Sequence, residues 1–330
     1  MVTEDSFISK ILPLLSKDNL LPGNDDAVAW KTPEDEINSL LVLNTDSIAW
    51  STDALPDNMS LLEFGMKLVT VTVSDIITKG SKPYYFLSTI TIPDNMPDSD
   101  LQNLFNGLLA GCRRYNLEYM GGDLGRSKEL VLSGIVVGYV KEEQLRKRSA
   151  VQDHDLICST GYFGYTGLGF KYYLDKSSLS IPSPIFELIN QKLLKPVARL
   201  DWLSFLQNYA NATIDSSDGL AKSLWHLTKE SNKQIQLEEL PAFPELDKIL
   251  EKDSDDYLRS ILFAGEEFEI IFSISEQNYK NLLREITKSE IEKPIIIGRA
   301  TNGQAKVFYE GTEVSGENNW DSFKGFNNWA

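Results

Sequence analysis

Apolar residues recur along this chain at two spacings, one typical of amphipathic helices and the other of buried strands. The helical spacing predicts helices over Glu4–Leu15, Leu61–Lys79, Leu101–Tyr115, Leu220–Glu230 and Gln277–Ile286. The strand-like runs are Leu40–Thr45, Tyr84–Ile92, Leu117–Met120, Leu130–Val140, Asp155–Thr160, Ala212–Asp215, Phe268–Ser275 and Pro294–Ile297. Because helices and strands alternate throughout, we expect an α/β (α+β) fold.

A polar, charged segment, residues 141–155, divides this pattern into two halves. At 330 residues the chain exceeds the usual size of one domain, and polar linkers are typical domain boundaries. We therefore predict an N-terminal domain over 1–148 and a C-terminal α/β domain over 149–330. The polar tail after Glu313 carries four aromatic residues, which favours a segment that docks on the body of the protein.

Acidic residues outnumber basic ones by 48 to 32, a formal net charge of −16. Nucleic-acid binding depends on cationic side chains, so this balance argues against it. A polyphosphate ligand would need metal ions or local donors to offset the overall charge. The N-terminus lacks the basic and apolar regions of a signal peptide, and the chain has no apolar run long enough to cross a bilayer. We expect a soluble, cytoplasmic protein that binds neither nucleic acid nor membrane.

The positions of six aspartates carry the most information about function. They are Asp26 in GNDDAV, Asp46 in LVLNTD, Asp75 in an apolar helical stretch, Asp123 after paired glycines, and Asp215 and Asp218 in IDSSDGL. Taken singly, Asp26 is an ordinary turn residue and Asp218 an ordinary helix N-cap. Asp75 is harder to explain, because a carboxylate among apolar neighbours is costly without a partner or metal.

Taken together, these carboxylates indicate a shared site. We interpret Asp46 and Asp123 as residues that end strands, so that several acidic groups from both halves of the chain meet at one rim. They would repel one another unless divalent cations lay among them. Oxygen ligands of this kind favour Mg²⁺, which bridges to substrate phosphates. The sequence therefore predicts a magnesium-dependent phosphate site.

Other signals of chemistry are weaker. The chain has no Walker-type loop and no protein-kinase motif set. The glycine-rich string Thr160–Phe170 is loosely similar to a dinucleotide-binding fingerprint, but a tight turn between strand and helix is the more ordinary interpretation. With only His154 and His226 and two separate cysteines, neither acid–base catalysis by histidine nor a nucleophilic site is indicated.

Eight short motifs, in order, resemble the thiamine-monophosphate kinase family of the aminoimidazole-ribonucleotide-synthetase-like superfamily. They are GNDDAV, NTD, VSDIITKGSKP, GGDLGRS, LRKRSA, IDSSDGL, AGEEFEI and the terminal KGF. The resemblance spans nearly the whole chain. It implies a two-domain fold whose N-terminal domain contributes strands to a dimer barrel, and therefore a homodimer.

The same resemblance implies roles for particular residues. The implied Mg²⁺ ligands are Asp26, Asn44, Thr45, Asp46, Asp75, Asp123, Asp215 and Asp218. The implied ATP contacts are Gly122, Asp123, Arg148 and Ser217. The residues implied to border the second substrate are Asp53, Glu266 and Phe326. Among all of these, Arg148, Asp75 and Asp215 would be the catalytic residues.

The implied reaction is the transfer of a phosphate group from ATP to thiamine monophosphate. Its acceptor is a phosphate oxygen that is already ionised at neutral pH, so direct in-line transfer assisted by several Mg²⁺ ions needs no general base. Four features depart from the family pattern. The family's G-x-G-D-D turn is P-G-N-D-D here, at residues 22–26, and it loses a glycine. Asn44 replaces a serine, Asp53 a histidine and Glu267 an aspartate. A carboxylate at Asp53 would repel a substrate phosphate.

Two alternative functions are also compatible with this sequence. One is another ATP-using synthetase of the superfamily, of the selenophosphate or aminoimidazole-ribonucleotide type. The absence of a cysteine before Cys112 argues against the selenophosphate type. The other is a non-catalytic module that binds divalent cations. It predicts no affinity for nucleotides.

Overall fold

The computed structural model describes residues 12–14, 32–55, 57–174 and 179–314. These residues form two compact units. The first comprises the described residues up to Ile77 together with Ser81–Glu143, and the second comprises Thr78–Gly80 and the described residues from Gln144 onward. Among the described helices, none combines the length and the apolar character needed to cross a membrane.

The first unit contains a four-stranded sheet and two long helices. Its elements are β1 (Leu40–Ala49), the short helix α1 (Trp50–Asp53), α2 (Leu61–Ile77), β2 (Lys82–Ile92), α3 (Asp98–Arg114), β3 (Glu118–Arg126) and β4 (Val131–Val140). The strand order is β1-β4-β2-β3. Strands β2 and β3 are parallel, so α3 forms the crossover between them, whereas β4 is antiparallel to both of its neighbours.

Helix α2 forms the centre of this unit because most of its residues are buried. Phe64, Leu68 and Val73 are each inaccessible to solvent, and the helix packs on α3 and on strands β1, β2 and β4. The two helices approach closely at Gly65 and Gly107, where a β-carbon would collide with main-chain atoms of the opposite helix. This packing holds α2 firmly against one face of the sheet.

The second unit has a seven-stranded sheet with helices around it. Its strands are β5 (Leu156–Ser159), β6 (Thr213–Asp215), β7 (Gln234–Leu237), β8 (Ile270–Ile274), β9 (Ile295–Thr301), β10 (Val307–Tyr309) and β11 (Thr312–Glu313). Its helices are α4 (Tyr165–Leu174), α5 (Ser183–Leu194), α6 (Leu203–Tyr209), α7 (Leu220–Ser231), α8 (Asp255–Leu262) and α9 (Glu276–Ile286).

The order of strands in this second sheet is β11-β10-β7-β9-β5-β8-β6. Only the β10–β7 pair is parallel. The core contains Ile157, Ile271 and Ile297 from the strands and Leu224 and Leu227 from α7, all fully buried. Two sheets with surrounding helices confirm the predicted α/β fold class.

Two strands of the first sheet continue well past the ends that the sequence pattern predicted. The run that begins at Leu40 continues to Ala49, and the run near Leu117 continues to Arg126. Asp46 and Asp123 therefore lie within strands, paired with Gly134 and Thr89, and the expectation that they end strands was wrong. Pairing with β4 and β2 continues past the apolar stretches, which a local apolar run does not reveal.

Other differences concern whole elements. The predicted helices at Leu61, Leu101, Leu220 and Gln277 are confirmed to within three residues at each end. Helices α5, α6 and α8 and strands β7, β10 and β11 were not predicted. Of the predicted helix Glu4–Leu15, only Leu12–Leu14 are described, as a short 3₁₀ turn, and the rest lies outside the described residues.

Candidate active site

In the first unit, two of the predicted carboxylates converge on one amide group. The Asn44 Nδ2 atom donates a hydrogen bond to Asp46 Oδ2 at 2.6 Å and another to Asp75 Oδ2 at 2.9 Å. Hydrogen bonds to ionised acceptors are stronger than neutral ones. The side chains of Asp46 and Asp75 thus meet, although they lie on different elements of the fold.

Alternation along β1 explains this meeting. Successive side chains of a strand point to opposite faces of the sheet, so Asn44 and Asp46 share the face covered by α2, and Thr45 faces the other way. Asn44 also donates to the main-chain oxygen of Thr72, 3.3 Å away on α2. Asp75 lies one turn further along the same helix and so reaches the same amide. The predicted ligand Thr45 is not on this face.

The Asp46–Asp75 pair fits a Mg²⁺ site of the kind that the ion usually occupies. Mg²⁺ keeps several waters and binds through one or two carboxylates together with substrate phosphates. Across the part of the chain that the structure describes, no group of three or more His, Cys, Asp or Glu side chains is placed to hold a metal ion. A site built on this pair therefore depends on water and phosphate oxygens for its remaining ligands.

Gly122 and Asp123 lie at the opposite edge of the same sheet. Strand β3 is three positions from β1, which corresponds to about 14 Å at the usual strand spacing. Gly122 has a φ of 154°, and a β-carbon there would overlap the carbonyl oxygen of Ser88. Within one chain, the sheet separates Asp123 from the Asp46–Asp75 pair.

Asp53 takes part in a local hydrogen-bond arrangement. Its Oδ2 atom accepts hydrogen bonds from the Ala49 amide at 2.8 Å and from the Thr52 hydroxyl at 2.6 Å. The Asp53 main-chain oxygen accepts one from the ammonium group of Lys67, a lysine that is 1% exposed. The carboxylate thereby fixes the turn of α1, in addition to any role it has toward a substrate.

In the second unit, the two motifs IDSSDGL and AGEEFE lie side by side. The Glu266 amide donates to the Ser217 carbonyl oxygen at 2.7 Å, and the Phe268 amide donates to the Ser216 carbonyl oxygen at 3.2 Å. Asp215 is the last residue of β6, as predicted, and is 4% exposed. These main-chain bonds bring Asp215 and Ser217 into the same region as Glu266.

Asp218 is not a helix N-cap. Helix α7 begins after Gly219, and no side chain caps it. The Asp218 carboxylate instead pairs with Lys222 at 2.6 Å, one turn into the helix, and both groups are about one-third exposed. The capping alternative raised by the sequence was therefore wrong, and a surface ion pair of this kind leaves the carboxylate accessible.

The glycine-rich turn Thr160–Phe170 does not present an open phosphate site. The Glu267 Oε1 atom accepts hydrogen bonds from the amides of Gly164 at 2.8 Å and Thr166 at 3.0 Å, at the start of α4. A helix N-terminus favours an anion at this position, and here the chain supplies one itself. The structure agrees with the ordinary interpretation of this string as a turn between strand and helix.

A neighbouring carboxylate, Glu269, forms a buried ion-pair cluster that sequence reasoning missed. Glu269 contacts Lys192 at 2.8 Å and Arg199 at 2.6 Å, and it accepts a hydrogen bond from the Thr160 hydroxyl at 2.7 Å. These cations hold the pKa of Glu269 below its usual range although burial acts in the opposite direction. The three partners are 70 to 109 residues distant in sequence, so no local signal could reveal them.

Arg148 borders a cationic cavity within the second unit. The cavity has a volume of about 520 Å³ and is lined by Lys79, Leu145, Arg146, Lys147, Arg148, Ser149 and Glu230. The Arg148 Nε atom is buried and has no hydrogen-bond partner among the described residues. Arg146 differs, because its guanidinium donates to the carbonyl oxygens of Leu206 and Gln207 and so fixes the linker to α6. The basic motif LRKRS is thus more than a solvated linker.

Two of the predicted site residues, Asp26 and Phe326, lie outside the described residues. His226, at the surface of α7, has a pKa below its usual value, first because of burial and then because of the charges of Arg148 and Lys222.

Comparison with known proteins shows the family of this chain. Residues 23–140 match the family of the AIR synthase related protein, N-terminal domain. The thiamine-monophosphate kinase of Pyrococcus horikoshii is 32% identical over 269 residues, which cover 81% of this chain and 80% of the relative.

Two solved structures have the same fold over most of their length. The crystal structure of thiamine-monophosphate kinase from Stenotrophomonas maltophilia K279a matches with a TM-score of 0.79 and 25% identity, over 93% of this chain and 95% of that one. AaThiL complexed with AMPPCP and TMP matches with a TM-score of 0.73 and 27% identity, over 94% of both chains.

The fold and the matched N-terminal domain define a protein of the AIR-synthase-related class. Within that class the chain belongs to the thiamine-monophosphate kinase family, and it is therefore a phosphotransferase. The resemblance carried by the eight sequence motifs is confirmed.

Proposed function

We propose that this protein transfers the γ-phosphate of ATP directly to thiamine monophosphate, which yields ADP and thiamine diphosphate. The observation that carries the proposal is the convergence of Asp46 and Asp75 on one amide, in a chain that belongs to this kinase family. The relative AaThiL forms a complex with AMPPCP and TMP, an ATP analogue and the proposed acceptor.

The chemistry suits a site that is poor in general bases. In the proposed step, an oxygen of the acceptor phosphate forms a bond to the γ-phosphorus, and the bond from that phosphorus to the bridging oxygen of ADP breaks. The attacking oxygen is already ionised near neutral pH, so no proton has to be removed. Catalysis then requires positioning and neutralisation of charge, with the donor, phosphorus and acceptor in line.

In this proposal, the candidate residues fall into three groups with different tasks. Asp46 and Asp75 would hold Mg²⁺, together with Asp26, Asn44, Thr45, Asp123, Asp215 and Asp218 as further candidate ligands. When bound, the several Mg²⁺ ions supply neutralisation of phosphate charge. Arg148, with the cationic cavity, would contact the nucleotide together with Gly122, Asp123 and Ser217. Glu266, Asp53 and Phe326 would border the thiamine phosphate.

The decisive test is release of ADP by the purified protein with Mg²⁺ and ATP. We expect ADP to form only when thiamine monophosphate is added, in equal amount to thiamine diphosphate. Thiamine and thiamine diphosphate serve as control acceptors. ADP release that is independent of thiamine monophosphate would contradict the proposal. Failure of an ATP analogue to raise the melting temperature would favour a non-catalytic module.

The identity of residue 53 offers a sharper test of the acceptor. The Asp53 carboxylate accepts bonds from Ala49 and Thr52, and its negative charge would oppose a nearby phosphate. We expect Asp53→His, which restores the family's usual residue, to lower KM for thiamine monophosphate and leave KM for ATP unchanged. Asp57→His, a change at a nearby exposed position, is the matched control. An unchanged KM for thiamine monophosphate would remove Asp53 from the acceptor site.

We further propose that the protein is a homodimer built on the first sheet. Leu41 and Leu43 of β1 are 55% and 59% exposed, and Ile135 of β4, which pairs with Thr45 of β1, is 38% exposed. No described strand pairs with the outer edge of β1 or of β3. An apolar face at such an edge is suited to a second copy of the chain. Leu43→Glu should convert a dimer to a monomer in light scattering, and a dimer that persists would contradict this surface.

We place this activity in the cytoplasm. Cys112 and Cys158 are free and buried. Unpaired thiols are typical of reducing compartments, and this composition supports the proposal.

A further inference from the structure

Glu267 stands near the candidate site, at a position where the family usually has an aspartate. It lies inside the second unit. It is 3% exposed. Its Oε1 atom accepts the amides of Gly164 and Thr166, which lie just over 100 residues earlier in the chain. Its Oε2 atom is buried and has no hydrogen-bond partner among the described residues. The side chain is thus fixed at one end only, on the first turn of α4.

The residues on either side of Glu267 adopt an unusual backbone conformation. Glu266 has a φ of 67° and Phe268 a φ of 53°, both in the left-handed region that disfavours residues with a β-carbon. Such conformations persist only where the surrounding structure holds them. The segment therefore needs anchors on more than one side.

Those anchors lie on both sides of the segment. On one side, the Glu267 carboxylate accepts hydrogen bonds from amides at the start of α4. Next to it, the Glu269 carboxylate forms ion pairs with Lys192 and Arg199. On the other side, the main chain of Glu266 and Phe268 bonds to the carbonyl oxygens of Ser217 and Ser216. The Ser216 amide in turn donates to the Glu269 carbonyl oxygen at 2.9 Å. Glu267 therefore anchors the segment 266–268. That segment in turn holds the loop that carries Asp215, Ser217 and Asp218.

We propose that Glu267 is a positioning residue for this active site, which fixes the Ser216–Asp218 loop through the main chain of Glu266 and Phe268. It does not touch substrate in this role. The proposal rests on the proposed function in so far as Ser217 and Glu266 contact the substrates. The mechanical link itself, from α4 through Glu267 to the loop, is independent of what the site binds.

Hydrogen–deuterium exchange on the whole protein without substrates tests the link. At pH 8, where the Glu267 carboxylate is ionised, Glu267→Gln keeps the shape of the side chain but removes the charge that strengthens the two amide bonds. We expect amides of residues 215–219 to exchange at least about tenfold faster, while strands β5 and β9 exchange at wild-type rates. Glu276→Gln, on the exposed first turn of α9, is the matched control and should change nothing in this loop.

Glu267→Asp provides a second variant in case the glutamine variant does not fold. It keeps the charge but shortens the side chain by one methylene group, so we expect a smaller rise of about threefold at residues 215–219. Wild-type exchange of this loop in both variants would overturn the proposal. Faster exchange throughout the second unit would also overturn it, because that result indicates a general loss of stability.

Nucleotide affinity separates positioning from packing. In Glu267→Gln we expect the dissociation constant of a nonhydrolysable ATP analogue to rise about tenfold, with partial recovery in Glu267→Asp. An unchanged dissociation constant would show that the Ser216–Asp218 loop does not contribute to nucleotide binding. If the wild-type protein releases no ADP in response to thiamine monophosphate, the proposed function is wrong. The hydrogen–deuterium exchange result still tests whether Glu267 positions the loop.

Discussion

The Asn44 amide nitrogen lies 2.9 Å from the Asp75 carboxylate, a contact that joins β1 to α2 across 31 residues of sequence. The same nitrogen lies 2.6 Å from Asp46. The Asn44 side chain turns its nitrogen toward the two carboxylates, because an amide nitrogen donates hydrogen bonds and ionised carboxylates only accept them. Two negative groups are thus held together within the protein.

Replacement of Asp75 by asparagine should abolish turnover and leave the fold intact. The change removes one of two adjacent charges and replaces it with an isosteric amide. We expect the rate of ADP release to fall at least about a hundredfold. The measurement is ADP release with thiamine monophosphate present, together with the shift in melting temperature that Mg²⁺ and an ATP analogue produce. Asp94→Asn, at a side chain that is 88% exposed, is the control. Near-normal activity would count against the metal role.

Replacement of Gly122 by alanine should destabilise the first unit. Its β-carbon would overlap the Ser88 carbonyl oxygen in the neighbouring strand, and main-chain atoms cannot move aside easily. We expect a loss of about 2–4 kcal/mol in the free energy of unfolding, measured in urea. Gly125→Ala in the same strand is the matched control, because its β-carbon would meet Thr91 at an ordinary 3.4 Å. Equal effects of the two changes would contradict the steric explanation.

Burial raises the pKa of Glu267 from an ordinary 4.5 to about 7, and the nearby charge of Glu269 contributes to the increase. Lys192 and the amides of Thr166 and Gly164 act in the opposite direction. Between these two pH values the folded protein binds more protons at this group than the unfolded chain does, so its contribution to stability falls as pH rises. Above pH 7 this contribution to the free energy of unfolding is fully lost, a decrease of about 3 kcal/mol.

Urea unfolding of the wild type and of Glu267→Gln at pH values from 5 to 8 measures this effect. The wild type should lose stability relative to the variant between pH 5 and 7, and the difference should level off above that range. A difference that is constant with pH would show that Glu267 titrates at its ordinary value in the folded protein.

Removal of the Glu269 charge should be strongly destabilising. Glu269→Gln leaves Lys192 without its buried partner, while Arg199 keeps its ion pair with Asp201. Breaking a buried ion pair costs about 3 kcal/mol. The midpoint of urea unfolding reports the change. Glu276→Gln, which breaks the exposed pair with Arg299, should produce no measurable shift. If both changes have the same small effect, the cluster contributes little to stability.

The helices at Leu61 and Leu220 could be predicted because their apolar positions recur at helical spacing over many residues. Short or strongly polar elements such as α6 and β11 could not, since local patterns of a few residues fit several structures. The same limit explains the error at Asp46 and Asp123. Where a strand ends depends on how far its neighbours continue to pair with it, and the apolar run alone does not contain that information.

The sequence by itself determined the chemistry of this protein: its acidic residues, its lack of usable histidines and the order of its motifs. The tertiary structure decided which of those residues meet. Asp46 joins Asp75 while Asp123 lies at the far edge of the sheet, and Glu267 reaches an amide 103 residues away. Such contacts depend on strand register and on the packing of distant elements. One step of register moves a side chain to the other face, so composition and spacing alone leave them undetermined.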